Sequence, residues 1–192
     1  MENTFSQIAV GYFKLGYTHV LPLGFDHILF IVGIFLLNSR IRSVVIQCSI
    51  FTIAHSITLG LAACGYILPD SQIVEPLISI SILFVAIENI VHNKVNQWRV
   101  AVIFLFGLIH GMGFATAIKD IGLSKTHFFE SLLFFNIGVE FGQITIILIA
   151  YFAIAKWFAS KSWYYSRIVY PFSTIIGCIA LYWTIERIFI AG

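Results

Sequence analysis

Long apolar runs, cut at short intervals by polar or charged clusters, organise the chain. About 20 apolar residues in helical form span the hydrocarbon core of a bilayer. Six runs come near or exceed that length: Leu23–Asn38, Ser43–Gly65, Ser71–Val91, Val100–Ile118, Phe128–Phe158 and Ile168–Ile190. Each predicts a helix, because a backbone in lipid must satisfy its own hydrogen bonds. The first run is short, but Ile8–Val20 precedes it and predicts a half-helix broken at Pro22, where the ring blocks helical continuation. The fifth is long, which predicts tilt or extension past the bilayer. The expected fold is all-α, a polytopic membrane helix bundle of about six transmembrane helices with a short N-terminal half-helix. Residues 1–192 form a single integral membrane domain in this reading.

Composition sharpens the picture. Hydrophobic residues make up 59% of the 192 and charged residues only 10%, with a mean hydropathy of +0.95. A soluble domain carries roughly a quarter charged residues, because its surface must face water. The expected partner is the lipid bilayer, with a homo-oligomer as a further option. A net charge of +2 without a Lys/Arg cluster argues against nucleic acid. Cys48, Cys64 and Cys178 lie scattered in apolar stretches, with no C-x-x-C spacing to indicate a disulfide framework or zinc finger. The first residues lack the basic region of a secretory signal, so the first helices are expected to be retained.

Loop charges predict the orientation. Arg40, Arg42, Lys94, Arg99, Lys156, Lys161 and Arg167 fall on one side, and Lys14, Lys119, Lys125 and Arg187 on the other. Seven against four predicts that both termini lie outside the cytoplasm, together with the Gly24–His27 turn and the Asp70 loop.

Ionisable side chains near mid-bilayer are costly and mark function by default. Asp26 and His27 open the first run, His55 is midway along the second, and Glu75 is near the start of the third. His110 is central in the fourth and Glu140 in the fifth. Helical spacing puts Cys48, Thr52, His55 and Thr58 in one stripe, and Asn136, Glu140 and Gln143 in another. Glu75, Ser79 and Asn89 form a third. Gly107/Gly111 and Gly138/Gly142 are small-x-x-x-small pairs that let helices approach closely beside His110 and Glu140.

Imidazole nitrogen and carboxylate oxygen together bind Zn, Ni, Cu, Fe or Co. The predicted metal site is therefore His27, His55 and His110 with Asp26 and Glu140. His19, Glu75, Ser56, Thr52, Asn136 and Gln143 are alternative ligands or partners that orient them. Plainer roles compete. A lone intramembrane histidine is often packing glue bonded to a Ser or Thr on a neighbouring helix. Asp26 could cap the helix that follows it, His19 could lie at the interface, and Glu88 with His92 reads as a local i,i+4 ion pair. Three histidines beside two carboxylates favour the shared site. Such a site serves a transporter, an intramembrane zinc enzyme with an open water position, or a bis-histidine haem protein. No Walker motif, G-x-S-x-G or H-E-x-x-H occurs.

The stretches Gly24–Phe30, Phe51–Leu59, Val74–Glu75, Phe106–Ala115 and Phe135–Gln143 resemble, in order, those of the HupE/UreJ membrane proteins, the hydrogenase and urease accessory family. The resemblance spans about residues 19–145 and is closest to the branch without a longer periplasmic N-terminal region. It implies a multi-helix permease for nickel, or for cobalt or another divalent metal, in a bacterial inner membrane. The His, Asp and Glu motifs would be its metal ligands. If the protein is instead an enzyme, the metal is zinc and the reaction a hydrolysis.

Overall fold

Helices make up all the regular secondary structure of residues 5–92, 98–114 and 127–190, which the computed structural model describes. The predicted end of the fourth run at Ile118, the loop charges Lys94, Lys119 and Lys125, and both chain ends lie outside those residues. Seven helical elements are seen among the described residues. In chain order they are α1 (Phe5–Val20), α2 (Phe25–Leu37), α3 (Ile41–Ala63), α4 (Ser71–Val91), α5 (Arg99–Gly113), α6 (Phe128–Phe158) and α7 (Tyr165–Phe189).

Four of these, α3, α4, α6 and α7, are long and apolar enough to cross a membrane. The α1–α2 pair qualifies as a fifth span, bent by 66° at its break. The predicted half-helix is thus present, and its break falls over Leu21–Gly24, around Pro22. The α5 helix is apolar but only 15 residues long. Each of the six predicted runs corresponds to a helix, most within two or three residues at the described ends, so the protein is an integral membrane helix bundle.

Local chemistry accounts for several ends. Asp70 caps α4, its carboxylate accepting from the Gln72 amide at 3.0 Å. The α6 helix runs for 31 residues, about 46 Å at the usual rise, and relaxes through a π-helical turn at Tyr151–Ala155. A second π turn, Tyr165–Val169, opens α7.

The bundle is built from three intimate pairs, α1 with α6, α3 with α5, and α4 with α7, while α2 runs between α4 and α6. Glycines make two of these pairs possible. A Cβ on Gly107 would meet the Phe51 carbonyl oxygen at 2.6 Å, and one on Gly111 would collide with the His55 carbonyl and the Thr58 hydroxyl, all on α3. Gly138 of α6 lies against the backbone of Phe13 and Tyr17, and Gly142 against Val20. Both small-x-x-x-small pairs therefore lie at helix contacts, beside His110 and Glu140 as the spacing predicts. Phe30, Phe35, Phe51 and Phe135 fill the centre at 1% exposure or less.

Two arginines tie the helices together by ion pairs at opposite ends of α4. At one end Arg187 of α7 meets Asp26 and Glu75. At the other, Arg99 of α5 is 3% exposed and reaches three helices. Its Nη1 pairs with Glu88 at 2.9 Å, Nε donates to Gln47 at 3.1 Å, and Nη2 to the Ile34 carbonyl at 3.3 Å. The expected Glu88–His92 ion pair is corrected by this contact: the Glu88 carboxylate pairs with the buried Arg99 guanidinium instead. Arg99 and Arg187 are thus internal partners rather than loop charges. Removing both from the tally leaves six basic residues against three.

Candidate metal centre

The break between α1 and α2 brings the end of one helix and the start of the next to the same depth. Gly24 allows it: a Cβ there would overlap the His19 carbonyl and stand 3.0 Å from that of Val20. The turn sets His19 and His27 face to edge, ring centroids 4.7 Å apart. His55 approaches from α3, 5.9 Å from His27 and 6.0 Å from His19. His110 approaches from α5, 5.5 Å from His27. The three histidines of the predicted site are gathered, and His19, an alternative ligand in the sequence reading, makes a fourth.

Phenylalanines hold the rings in place. Phe51 stacks on His55 at 6.1 Å and meets His110 edge-on at 4.9 Å. Phe114 lies 3.9 Å from His19, and Phe30 is 5.4 Å from His110. The imidazoles are thus surrounded largely by hydrocarbon. His27, His55 and His110 are 5%, 0% and 2% exposed.

Their nitrogens are short of partners. His110 Nδ1 lies 2.8 Å from the Phe106 carbonyl oxygen. A carbonyl only accepts, so Nδ1 carries the proton and Nε2 keeps its lone pair. That Nε2 has no hydrogen-bond partner among the described residues, and neither do His19 Nε2, His27 Nε2 or either nitrogen of His55. The bonding of His110 is the pattern by which a backbone carbonyl commonly orients a metal-binding imidazole. Packing glue would look different, with each ring bonded across to a hydroxyl. Among the described residues, no three His, Cys, Asp or Glu side chains converge closely enough to enclose one ion. Closing the rings on a cation would require them to rotate inward.

A cavity of about 580 Å³ leads to this cluster. Glu75, half exposed, marks its rim, and His27 and His110 form its floor. Asp26 stands between them, its carboxylate 3.1 Å from Arg187. Gly24 occupies the N-cap position of α2, so the capping role considered for Asp26 is corrected: it sits in the first turn and bonds to Arg187 instead.

Of the remaining predicted residues, Glu140, Thr52 and Gln143 take part in polar contacts between α3 and α6. Glu140 accepts a 2.6 Å hydrogen bond from Ser49 Oγ, six residues before His55 on α3 and about 9 Å away along that helix. Gln143 accepts from Thr52 at 3.0 Å. Ser56 turns back to the Thr52 carbonyl, and Asn136 to that of Leu132. Glu140 thus shares a face with Gln143, as its spacing predicts, but meets Ser49 where the sequence reading put it beside the histidines. Arg187 was missed as part of the site. Its position near a helix end made it look like a loop charge, and only contact with Asp26, 161 residues earlier, reveals its role.

Fold and site together define a polytopic helical membrane protein with a histidine cluster buried beneath a charged vestibule. The chain belongs to the HupE / UreJ protein family, whose model matches residues 1–187. That family is associated with an accessory function in nickel and cobalt transport. Comparison with curated proteins and with solved structures finds no match to the chain.

Proposed function

We propose that the protein is a permease for a divalent transition metal, nickel being the favoured cargo, with cobalt next. The observation that carries this reading is the convergence of four imidazoles from four helices, with nitrogens unpartnered among the described residues, beneath a cavity edged by carboxylates. Burying such nitrogens without partners costs about 1–3 kcal/mol each. A divalent cation of the later transition series would repay that cost, since imidazole suits it. His19, His27, His55 and His110 would supply nitrogen and Asp26 oxygen.

Transport is favoured over hydrolysis because polar groups continue past the rings. From His55 the α3–α6 interface runs through Thr52 and Gln143 to Ser49 and Glu140, away from the vestibule. A catalytic zinc site has no need of such a continuation. The wide spacing of the rings also suits an ion that must be released. The charge bias, six against three once the internal arginines are removed, supports a vestibule and termini facing out of the cytoplasm, in a bacterial inner membrane.

Metal uptake into proteoliposomes tests the reading. Wild type should take up Ni2+ saturably. His55→Ala and His110→Ala should abolish uptake while the bundle still assembles. Glu140→Gln should slow it, because the cation then passes a layer with no negative charge. Uptake by His110→Ala equal to that of wild type would sink the proposal. Tight zinc with no uptake by either protein would support the metalloenzyme reading.

A further inference from the structure

The carboxylates at the vestibule are already engaged. Arg187 places Nη2 3.1 and 3.2 Å from the two oxygens of Asp26. Its Nη1 donates to the Glu75 carbonyl at 3.1 Å, and its Nε stands 3.9 Å from the Glu75 carboxylate. The guanidinium is held against Trp183, 5.3 Å from the ring centroid, a cation–π contact. Its side chain is 18% exposed, so water screens these interactions only in part. Asp26, Glu75 and Arg187 line the same cavity as His27. Two carboxylates against one guanidinium leave a single negative charge.

We propose that Arg187 is a specificity-determining residue: a tethered counter-ion that yields Asp26 and Glu75 only to a cation that also gains imidazole ligands. The proposal rests on the permease reading of this site. An oxygen pair with two negative charges suits hard ions such as Mg2+ and Ca2+. With Arg187 in place, any entering ion must first displace charge-assisted hydrogen bonds to Asp26. A hard ion recovers only the carboxylate contact. Ni2+ or Co2+ recovers that contact and adds nitrogen, first from His27, the next residue in the chain, and then from His19 and His110. The guanidinium thus sets the same threshold for every cation, and only those that bind imidazole well rise above it. A residue holding helices together and nothing more would have no bearing on which ions compete.

The full-length protein, purified in detergent, is titrated with Ni2+ by calorimetry, alone and with a large excess of Mg2+. Wild-type affinity for Ni2+ should be indifferent to Mg2+. In Arg187→Gln, Mg2+ should compete and weaken the apparent Ni2+ affinity by about tenfold or more. Arg187→Lys keeps the charge but loses the rigid fork, so its sensitivity should fall between the two. Equal sensitivity in wild type and Arg187→Gln overturns the proposal. If Arg187→Gln does not fold, Arg187→Lys decides, and sensitivity no greater than wild type overturns it. Failure of wild type to bind Ni2+ or Co2+ removes the permease reading and this proposal together. Binding by wild type with equal Mg2+ sensitivity removes this proposal alone.

Discussion

Replacing His55 by leucine separates a ligand from a packing residue. The imidazole is fully buried, stacks on Phe51, and has neither ring nitrogen bonded among the described residues. Two such atoms cost about 2–6 kcal/mol in desolvation. Leucine removes that cost, while its different shape in a packed interior costs about 1–3 kcal/mol. The metal-free His55→Leu protein should therefore unfold at the wild-type temperature or above it. For a chain of this length 1 kcal/mol moves the midpoint by about 2–4 °C, on the scale of soluble proteins. Ni2+ at about a hundred times its dissociation constant adds about 2.7 kcal/mol. Wild type should thus gain about 5–11 °C with Ni2+, and His55→Leu should lose most of that gain. Thermal unfolding in detergent, with and without Ni2+, measures both. A metal-free His55→Leu several degrees less stable than wild type, with its Ni2+ response intact, would refute the argument and make His55 a core residue.

The buried Arg99–Glu88 pair should behave in the opposite way. Glu88→Gln leaves a guanidinium with a 2% exposed side chain beside a neutral partner, costing about 3–5 kcal/mol, and Arg99→Met with Glu88→Leu should restore most of it in the same melts. A neutral single substitution would contradict this. Gly138→Ala drives a methyl into the α1 backbone at Phe13 and should cost at least about 1–3 kcal/mol. Gly11→Ala, whose Cβ meets nothing within 4 Å, should instead stabilise by about 0.5–1 kcal/mol, and comparable losses in both would show that α1 is not held by close approach. A reporter fused after Gly192 should be active outside the cytoplasm, and activity inside it would reverse the proposed orientation.

The runs of apolar residues determined the helices, because spanning lipid allows few alternatives and the length needed is set by the bilayer. The break at Pro22, the polar stripe of Thr52 and His55, and the close contacts at Gly107/Gly111 and Gly138/Gly142 were legible for the same reason. Each is a local rule of spacing or backbone geometry.

Which stripes face each other is not local. Glu140 and the histidines belong to one inward-facing set by periodicity, yet α6 meets α3 at a register that gives Glu140 to Ser49 and leaves the rings to each other. For His19 the sequence leaves open a place in the site or one at the interface, and the bend between α1 and α2 folds it back onto His27. Arg187 and Arg99 read as loop charges because a sequence shows distance along the chain and not across it. Asp26 and Arg187, 161 positions apart, meet only when α7 packs along α4 and past α2. Helix formation was written in the order of residues. The site was decided by rotation and register between helices, which depend on side chains from several segments interlocking at once.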